Sequence, residues 1–158
     1  MSDLHAELDH FDRLILKEVQ RDAKPSLSDL ARAVGLSTSP CWRRLKRLEE
    51  AGVIRGQVAI LDPRALGLDA MAYVQVSLID HREETIAAFD AFVAHEAQVI
   101  ECASITGESD YMLKVVARDP EDLETFLMRR LLGLGIVRGT VTNFILRQKK
   151  YATALPVE

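Results

Sequence analysis

LSDLARAVGLSTSPCWRRLKRLEEAGVIRGQVAIL, Leu27 to Leu61, decides how the first half of this chain folds. Ser26-Leu27-Ser28-Asp29 forms a helix-capping box, and Leu27, Leu30, Ala31 and Val34 follow at helical spacing. Gly35 closes that helix, because glycine adopts the left-handed end conformation at least cost. Ser37 can cap a second helix that tolerates Pro40 in its first turn, runs to Ala51 and stops at Gly52. Val53–Leu61 then carries Gly56 in its middle and predicts a short strand pair. Upstream, Phe11, Leu14, Ile15 and Val19 mark a first helix, capped by Asp9 and Asp12 and broken by Asp22-Ala23-Lys24-Pro25. Three short helices and a hairpin spell a winged helix-turn-helix.

On a helical wheel, Cys41, Leu45 and Leu48 fall on one side of the third helix and must face the other two. Ser39, Arg43, Lys46 and Arg47 fall opposite, with Thr38 and Trp42 on one border and Arg44 on the other. A basic stripe on an amphipathic helix is often only a solvated face. Here the short turn Val34–Ser37, a compact capped helix before it and a Gly-containing segment after it favour a reading helix. Such a helix enters the major groove N-terminus first, so Ser37, Thr38 and Ser39 can reach base edges. Arg43, Arg44, Lys46 and Arg47 can meet guanines or phosphates.

Net charge is −4 over 158 residues, which by itself argues against nucleic acid. The total conceals an asymmetry. Residues 1–64 hold eleven Lys/Arg against ten Asp/Glu, whereas 65–158 hold nine against fourteen. Thr38–Leu48 has four cations and no acid, and a local stripe is what phosphate contact requires. No uncharged run exceeds ten residues, which excludes an apolar membrane-spanning helix. Acids at Asp3, Glu7, Asp9, Asp12 and Glu18 argue against a secretory signal, and two cysteines make no disulfide scaffold. The expected compartment is the cytoplasm.

Asp62–Asp69 (DPRALGLD) reads as a linker between a DNA-binding domain over 1–61 and a second domain over 70–158. Beyond it come a strand at Met71–Ile79, a helix at Glu83–His95 and strands at Val99–Ile105 and Tyr111–Ala117. A helix at Pro120–Leu132 and a strand at Thr140–Leu146 follow. The order βαββαβ is that of a ferredoxin-like sandwich, so the whole is an α+β protein with helices on one face of an antiparallel sheet. Met71–Ile79 is apolar on both faces, which predicts pairing of two copies through the open face.

The run from Leu27 to Leu68 resembles the DNA-binding half of the Lrp/AsnC (feast/famine) transcription regulators, most specifically in LSTSPCWRRLKRLEEAGVI. GESDYMLKV, Gly107–Val115, is similar to the Gly-x-x-Asp-Tyr-x-Leu segment of that family's ligand-binding domain, and the likeness extends from Leu8 to Leu155. TSPCWRRLKRLE and YATALPVE further resemble a branch that includes cysteine-responsive activators.

The resemblance implies that Thr106–Asp110 lines an amino-acid pocket between two ligand-binding domains, rather than being a plain hairpin turn. An α-amino acid needs acceptors for its ammonium and donors for its carboxylate. Glu108 or Asp110 can supply the first, and the turn's backbone N–H groups, beginning at Gly107, the second. Tyr111 can wall the side-chain end, and Thr140 and Thr142 are further candidates, though tyrosine and threonine are also ordinary strand residues. The family further implies a homodimer able to build an octamer, with double-stranded DNA and a small amino acid as partners.

His5, His10, His81, His95, Cys41 and Cys102 share no metal-ligand spacing, and both cysteines read as core residues. No phosphate loop, nucleophile elbow or catalytic carboxylate pair is present, so no cofactor and no catalytic residue is expected. An enzyme carrying a regulatory ferredoxin-like domain, or an architectural DNA-binding protein without an effector, is the alternative. The sequence leaves the effector, the operator and the sign of regulation open.

Overall fold

The computed structural model describes residues 7–21 and 25–158. Asp3 of the signal argument, His5 and Asp22–Lys24 of the helix break lie outside the described residues. The chain divides into two compact units, 1–60 with 150–158, and 61–149.

The first unit is built from helices α1 (His10–Arg21), α2 (Leu27–Ala33) and α3 (Thr38–Glu50) around Ile15, Leu16, Leu30, Val34, Cys41 and Leu48. Ser26 caps α2 by accepting from the Asp29 amide at 3.1 Å. Both α2 and α3 end in the same motif. The Gly35 amide bonds Arg32 O while Leu36 bonds Ala31 O, and Gly52 bonds Glu49 O while Val53 bonds Leu48 O. Each requires a positive φ, met by Gly35 at 72° and Gly52 at 70°. The tight turn after α2 is therefore built by backbone geometry.

Three expectations for this unit change. Val53–Leu61 forms no strand pair: beyond Ile54 it is exposed and unpaired, because a β-ribbon needs a partner edge. Ser37 sits at the N-cap of α3 by its backbone, but its hydroxyl makes no cap bond. Residues 150–158, read as part of the second domain, cluster with the first unit. Gln20 exchanges two hydrogen bonds with the Leu155 backbone, and Val157 packs on the helical core.

The second unit is an antiparallel sheet of β1 (Ala70–Leu78), β2 (Val99–Ser104), β3 (Tyr111–Ala117) and β4 (Val137–Phe144), ordered β2-β3-β1-β4. Helices α4 (Glu83–His95) and α5 (Pro120–Thr125) complete the ferredoxin-like pattern. A short 3₁₀ turn, Arg64–Leu66, lies in the expected linker. The second helix is compound. Asp119 caps α5, a wider π-type turn spans Phe126–Leu131, and a 3₁₀ turn ends it. Residues five apart approach the same face in a π-turn, and both Phe126 and Leu131 are fully buried.

Alternate residues of β1 sort the sheet's faces. Ala72, Val74, Val76 and Leu78 pack with Phe89, Leu113, Val115, Leu123 and Phe126 under the helices. Met71, Tyr73, Gln75 and Ser77 point the other way, in register with Met112 and Lys114 on β3 and Val141 and Asn143 on β4. That second face has no covering layer within the unit. Cys102, expected in the core, is exposed, because β2 is an edge strand. Cys41 is buried as expected.

Candidate functional site

Helix α3 shows Thr38, Ser39, Trp42, Arg43, Lys46 and Arg47 to solvent and buries Cys41 and Leu48. The wheel thus holds. Ser37, Thr38 and Ser39 lie exposed at the N-terminal end, and the Ser37 hydroxyl is not consumed by capping. Leu27, Thr38, Ser39, Trp42 and Arg43 line a shallow cavity of about 340 Å³ beside them.

The four cations are not equivalent. Arg44 is half-buried and donates from Nη1 to Asp9 at 2.6 Å and to Asp12 at 3.0 Å, with its guanidinium 5.4 Å from the Phe11 ring centroid. Arg47 binds the other oxygen of Asp12, which is fully buried. Lys46 lies 3.7 Å from Glu49 on the surface, a weak exposed pair. Arg43 has no ion pair among the described residues. Asp9 and Asp12 also cap α1 reciprocally, each amide donating to the other's carboxylate at 3.0 Å. The Asp12 amide and then Arg44 hold the Asp9 carboxyl down to about 2, from 3.8. Sequence reading takes Asp9 and Asp12 as caps only. Their second role, fixing two stripe cations, escapes it.

In the second unit, the turn between β2 and β3 has Gly107 at φ 123° and exposes Gly107 and Glu108. Asp110 is engaged from within. Its carboxylate accepts from the Leu78 amide at 2.7 Å and contacts His81 Nε2 at 2.7 Å, and the His81 bond leads in lowering its pKa. Its amide donates to Val76 O, and Ser109 is buried with its hydroxyl 3.4 Å from Gln75 Oε1. Glu108 is the turn carboxylate left facing solvent. Among the described residues, the amides of Gly107, Glu108 and Ser109 donate to no protein acceptor. The turn thus presents an exposed carboxylate beside three amide donors without a protein acceptor.

Tyr111 packs against Phe89 with ring centroids 4.5 Å apart and belongs partly to the core. On β4, Thr140 and Thr142 pair in register with Val76 and Val74 of β1 and are half-buried on the helix-side face. Tyr111 also pairs with Val76, so Thr140 and Tyr111 lie in one row, separated by a strand and thus by roughly 10 Å. Threonines and turn are not brought into one closed cluster within this chain. Sequence reading misses His81 and Gln75, the residues that hold the turn; their signal is their place on β1 and just beyond its end. Among the described residues no group of three His, Cys, Asp or Glu side chains is placed to hold a metal, and no helix is long and apolar enough to cross a membrane.

Comparison with known proteins places both halves. A family profile described as the Lrp/AsnC ligand binding domain matches residues 71–155, and one described as a winged helix-turn-helix DNA-binding domain matches 8–55. The DNA-binding transcriptional activator DecR of Escherichia coli is 37% identical over 151 residues, covering 96% of this chain and 99% of that protein. A transcriptional regulator of Neisseria meningitidis, solved as a complex with L-Met, superposes with a TM-score of 0.91 at 34% identity, over 94% of this chain and 96% of that one. An AsnC family regulator of Agrobacterium tumefaciens gives 0.88 at 37% identity, over the same shares.

Proposed function

This chain belongs to the Lrp/AsnC family of DNA-binding transcription regulators, and from that premise we propose which of its residues read DNA and which take the effector. It is a regulator and not an enzyme. Ser37, Thr38, Ser39, Trp42, Arg43 and Lys46 form the DNA-contacting surface of α3, and Arg44 and Arg47 act through Asp12 to hold that helix on α1. The observation that carries this division is the fully buried Asp12 carboxylate, which binds both arginines.

In the second unit, the effector is a small amino acid. The free amides of Gly107, Glu108 and Ser109 take its carboxylate and Glu108 its ammonium, while Asp110 shapes the turn from beneath. Tyr111, Thr140 and Thr142 complete the pocket only when a neighbouring subunit closes over it. Resemblance to a cysteine-responsive branch and the L-Met complex of the meningococcal relative put cysteine and methionine first among the effectors to test. The open face of the sheet pairs two copies, and dimers build the larger assembly up to an octamer. The protein works in the cytoplasm, where the DNA is. Residues 1–61, 62–69 and 70–149 serve as reader, linker and sensor, with the last nine residues returning to the reader.

A thermal-shift series over the twenty amino acids, without DNA, tests the effector assignment. A ligand bound only to the native state must raise the melting temperature as its concentration rises. Cysteine or methionine is expected to do so. No shift with any amino acid sinks that assignment and leaves an architectural DNA-binding protein.

A further inference from the structure

The last residues of the chain are held on the first unit by their backbone. Gln20 Nε2 donates to Leu155 O at 3.1 Å, and the Leu155 amide donates to Gln20 Oε1 at 2.6 Å. One carboxamide thus meets both polar groups of one residue, as a neighbouring β-strand would. The Leu155 side chain remains exposed, so the peptide group is what Gln20 captures. Pro156 follows, and its missing N–H leaves no donor to satisfy. Val157 then packs on the core of Ile15, Leu16 and their neighbours. The segment itself, through Thr153 and Leu155 to Glu158, forms one wall of a cavity of about 640 Å³ whose other walls include Leu16, Val19, Ile54, Arg13, Arg21 and Arg55.

We propose that the surface around the end of α1 is a peptide-docking site of the DNA-binding unit, and that its occupant is the chain's own C-terminal segment, Thr153–Glu158, which walls the cavity from the outside. Three observations select that occupant. The chain returns to this unit at Lys150, so the segment is delivered at high effective concentration and needs little intrinsic affinity. Its Leu-Pro-Val run places a captured peptide, a residue without a donor and an apolar anchor in succession. Glu158 brings an acid to a groove lined by three arginines. Helix α1 therefore carries two loads. Asp12 near its start holds the reading helix, and Gln20 near its end holds the tail. Occupancy of the groove stiffens the support on which α3 rests.

The test uses full-length protein and the hydrogen exchange of α1 amides. Gln20→Ala and a variant ending at Ala152 are each expected to speed that exchange by about tenfold, the size of one or two net hydrogen bonds with a small apolar contact. Combining the two should add nothing to the truncation, since both remove one contact. Unchanged α1 exchange in both variants overturns the proposal. A benzophenone residue in place of Gln57, which lines the same cavity and leaves the Gln20 contact intact, gives a second measurement in a nearly intact chain. Irradiation should produce an adduct on the peptide 151–158 at the mass of a single chain. The same adduct at the mass of two chains overturns the assignment to the chain's own segment. Absence of that adduct overturns docking altogether.

Discussion

The carboxylate of Asp12, to which no solvent has access, accepts a hydrogen bond from Arg44 Nη1 at 3.0 Å and so ties the start of α1 to the middle of α3. Arg47 and the Asp9 amide bind its other oxygen. A buried charge is tolerated only when paired and fully hydrogen-bonded, and this one is. If α3 is the helix that meets DNA, as proposed, a contact within the protein sets the geometry of a contact outside it.

Asp12→Ala should therefore cost far more than a surface substitution. It leaves Arg44 with Asp9 alone, takes the partner from Arg47 and removes an acceptor from the Asp9 amide. Breaking one side of a buried pair costs roughly 3–5 kcal/mol, and the partial exposure of both arginines puts this case near the lower end. Urea unfolding followed by helical circular dichroism measures it. A loss below about 1 kcal/mol, the scale of an exposed ion pair, would show that the cluster is ornamental.

Arg43 and Arg44 should separate in DNA binding. Arg43→Ala is expected to weaken operator affinity and to flatten its dependence on salt by about one unit of log–log slope, if the lost contact is to phosphate. Arg44→Ala is expected to weaken affinity with the slope unchanged, and to lower stability, because its charge is spent on Asp9 and Asp12. Fluorescence anisotropy at several salt concentrations distinguishes them. Equal slope losses would return Arg44 to the DNA surface.

How much of this was legible in the sequence depends on distance along the chain. The glycine stops of α2 and α3, the apolar stripe of α3 and the βαββαβ order rest on residues within a turn or two of each other, and the structure has them. The Ser37 side-chain cap and the continuous helix over 120–132, by contrast, are absent. The partners of Asp12 lie 32 and 35 residues away, and a helical wheel ranks side chains by angle without knowing what faces them. Gln20 and Leu155 are 135 residues apart, and capture through a peptide group leaves no side-chain pattern to find. Val53–Leu61 has the composition of a strand, but a strand is a property of two edges and this unit supplies one. Asp110 looked like a free turn carboxylate for the same reason. The Leu78 amide that claims it comes from the neighbouring strand.

The Asp9 cluster has an acid limit. Its carboxyl is held down to about 2, from 3.8, by the Asp12 amide first and Arg44 second. A depressed carboxylate contributes stability that is complete above its ordinary value and is lost as pH falls through the folded value. Wild type should therefore lose an increment of melting temperature between about pH 4 and 2, and Asp9→Asn should lack that increment. The gap between the two melting curves should shrink as the pH falls. A gap that stays constant over that window would mean that the pair does not titrate with folding.

Val141 and Tyr73 both lie on the uncovered face of the sheet, and both are exposed. If that face joins two copies, Val141→Asp buries a charge in the interface while leaving the core under the helices untouched. Light scattering should then fall from a multiple of dimers toward the 17.7 kDa of one chain. A Val141→Asp protein of unchanged mass would move the interface elsewhere, and wild type at the mass of one chain would remove it.

The turn after β2 gives the sharpest contrast, because its two carboxylates have different work. Glu108 is exposed and beside three unused amides, whereas Asp110 is bonded to Leu78 and His81. Glu108→Ala should leave the melting temperature of the empty protein unchanged. It should weaken amino-acid binding about tenfold or more, since a charge-assisted hydrogen bond contributes roughly 1.5–3 kcal/mol. Operator binding without effector should persist, because α3 is untouched. Asp110→Ala should do the opposite first. It strips the acceptor from the Leu78 amide at the end of β1, and an unsatisfied buried donor costs roughly 1–3 kcal/mol whether or not ligand is present. Calorimetric titration and thermal melts of both variants read the two effects separately. If Asp110→Ala binds the amino acid poorly at full stability while Glu108→Ala binds it normally, the ammonium sits on Asp110. His81 must then release that carboxylate whenever the effector arrives.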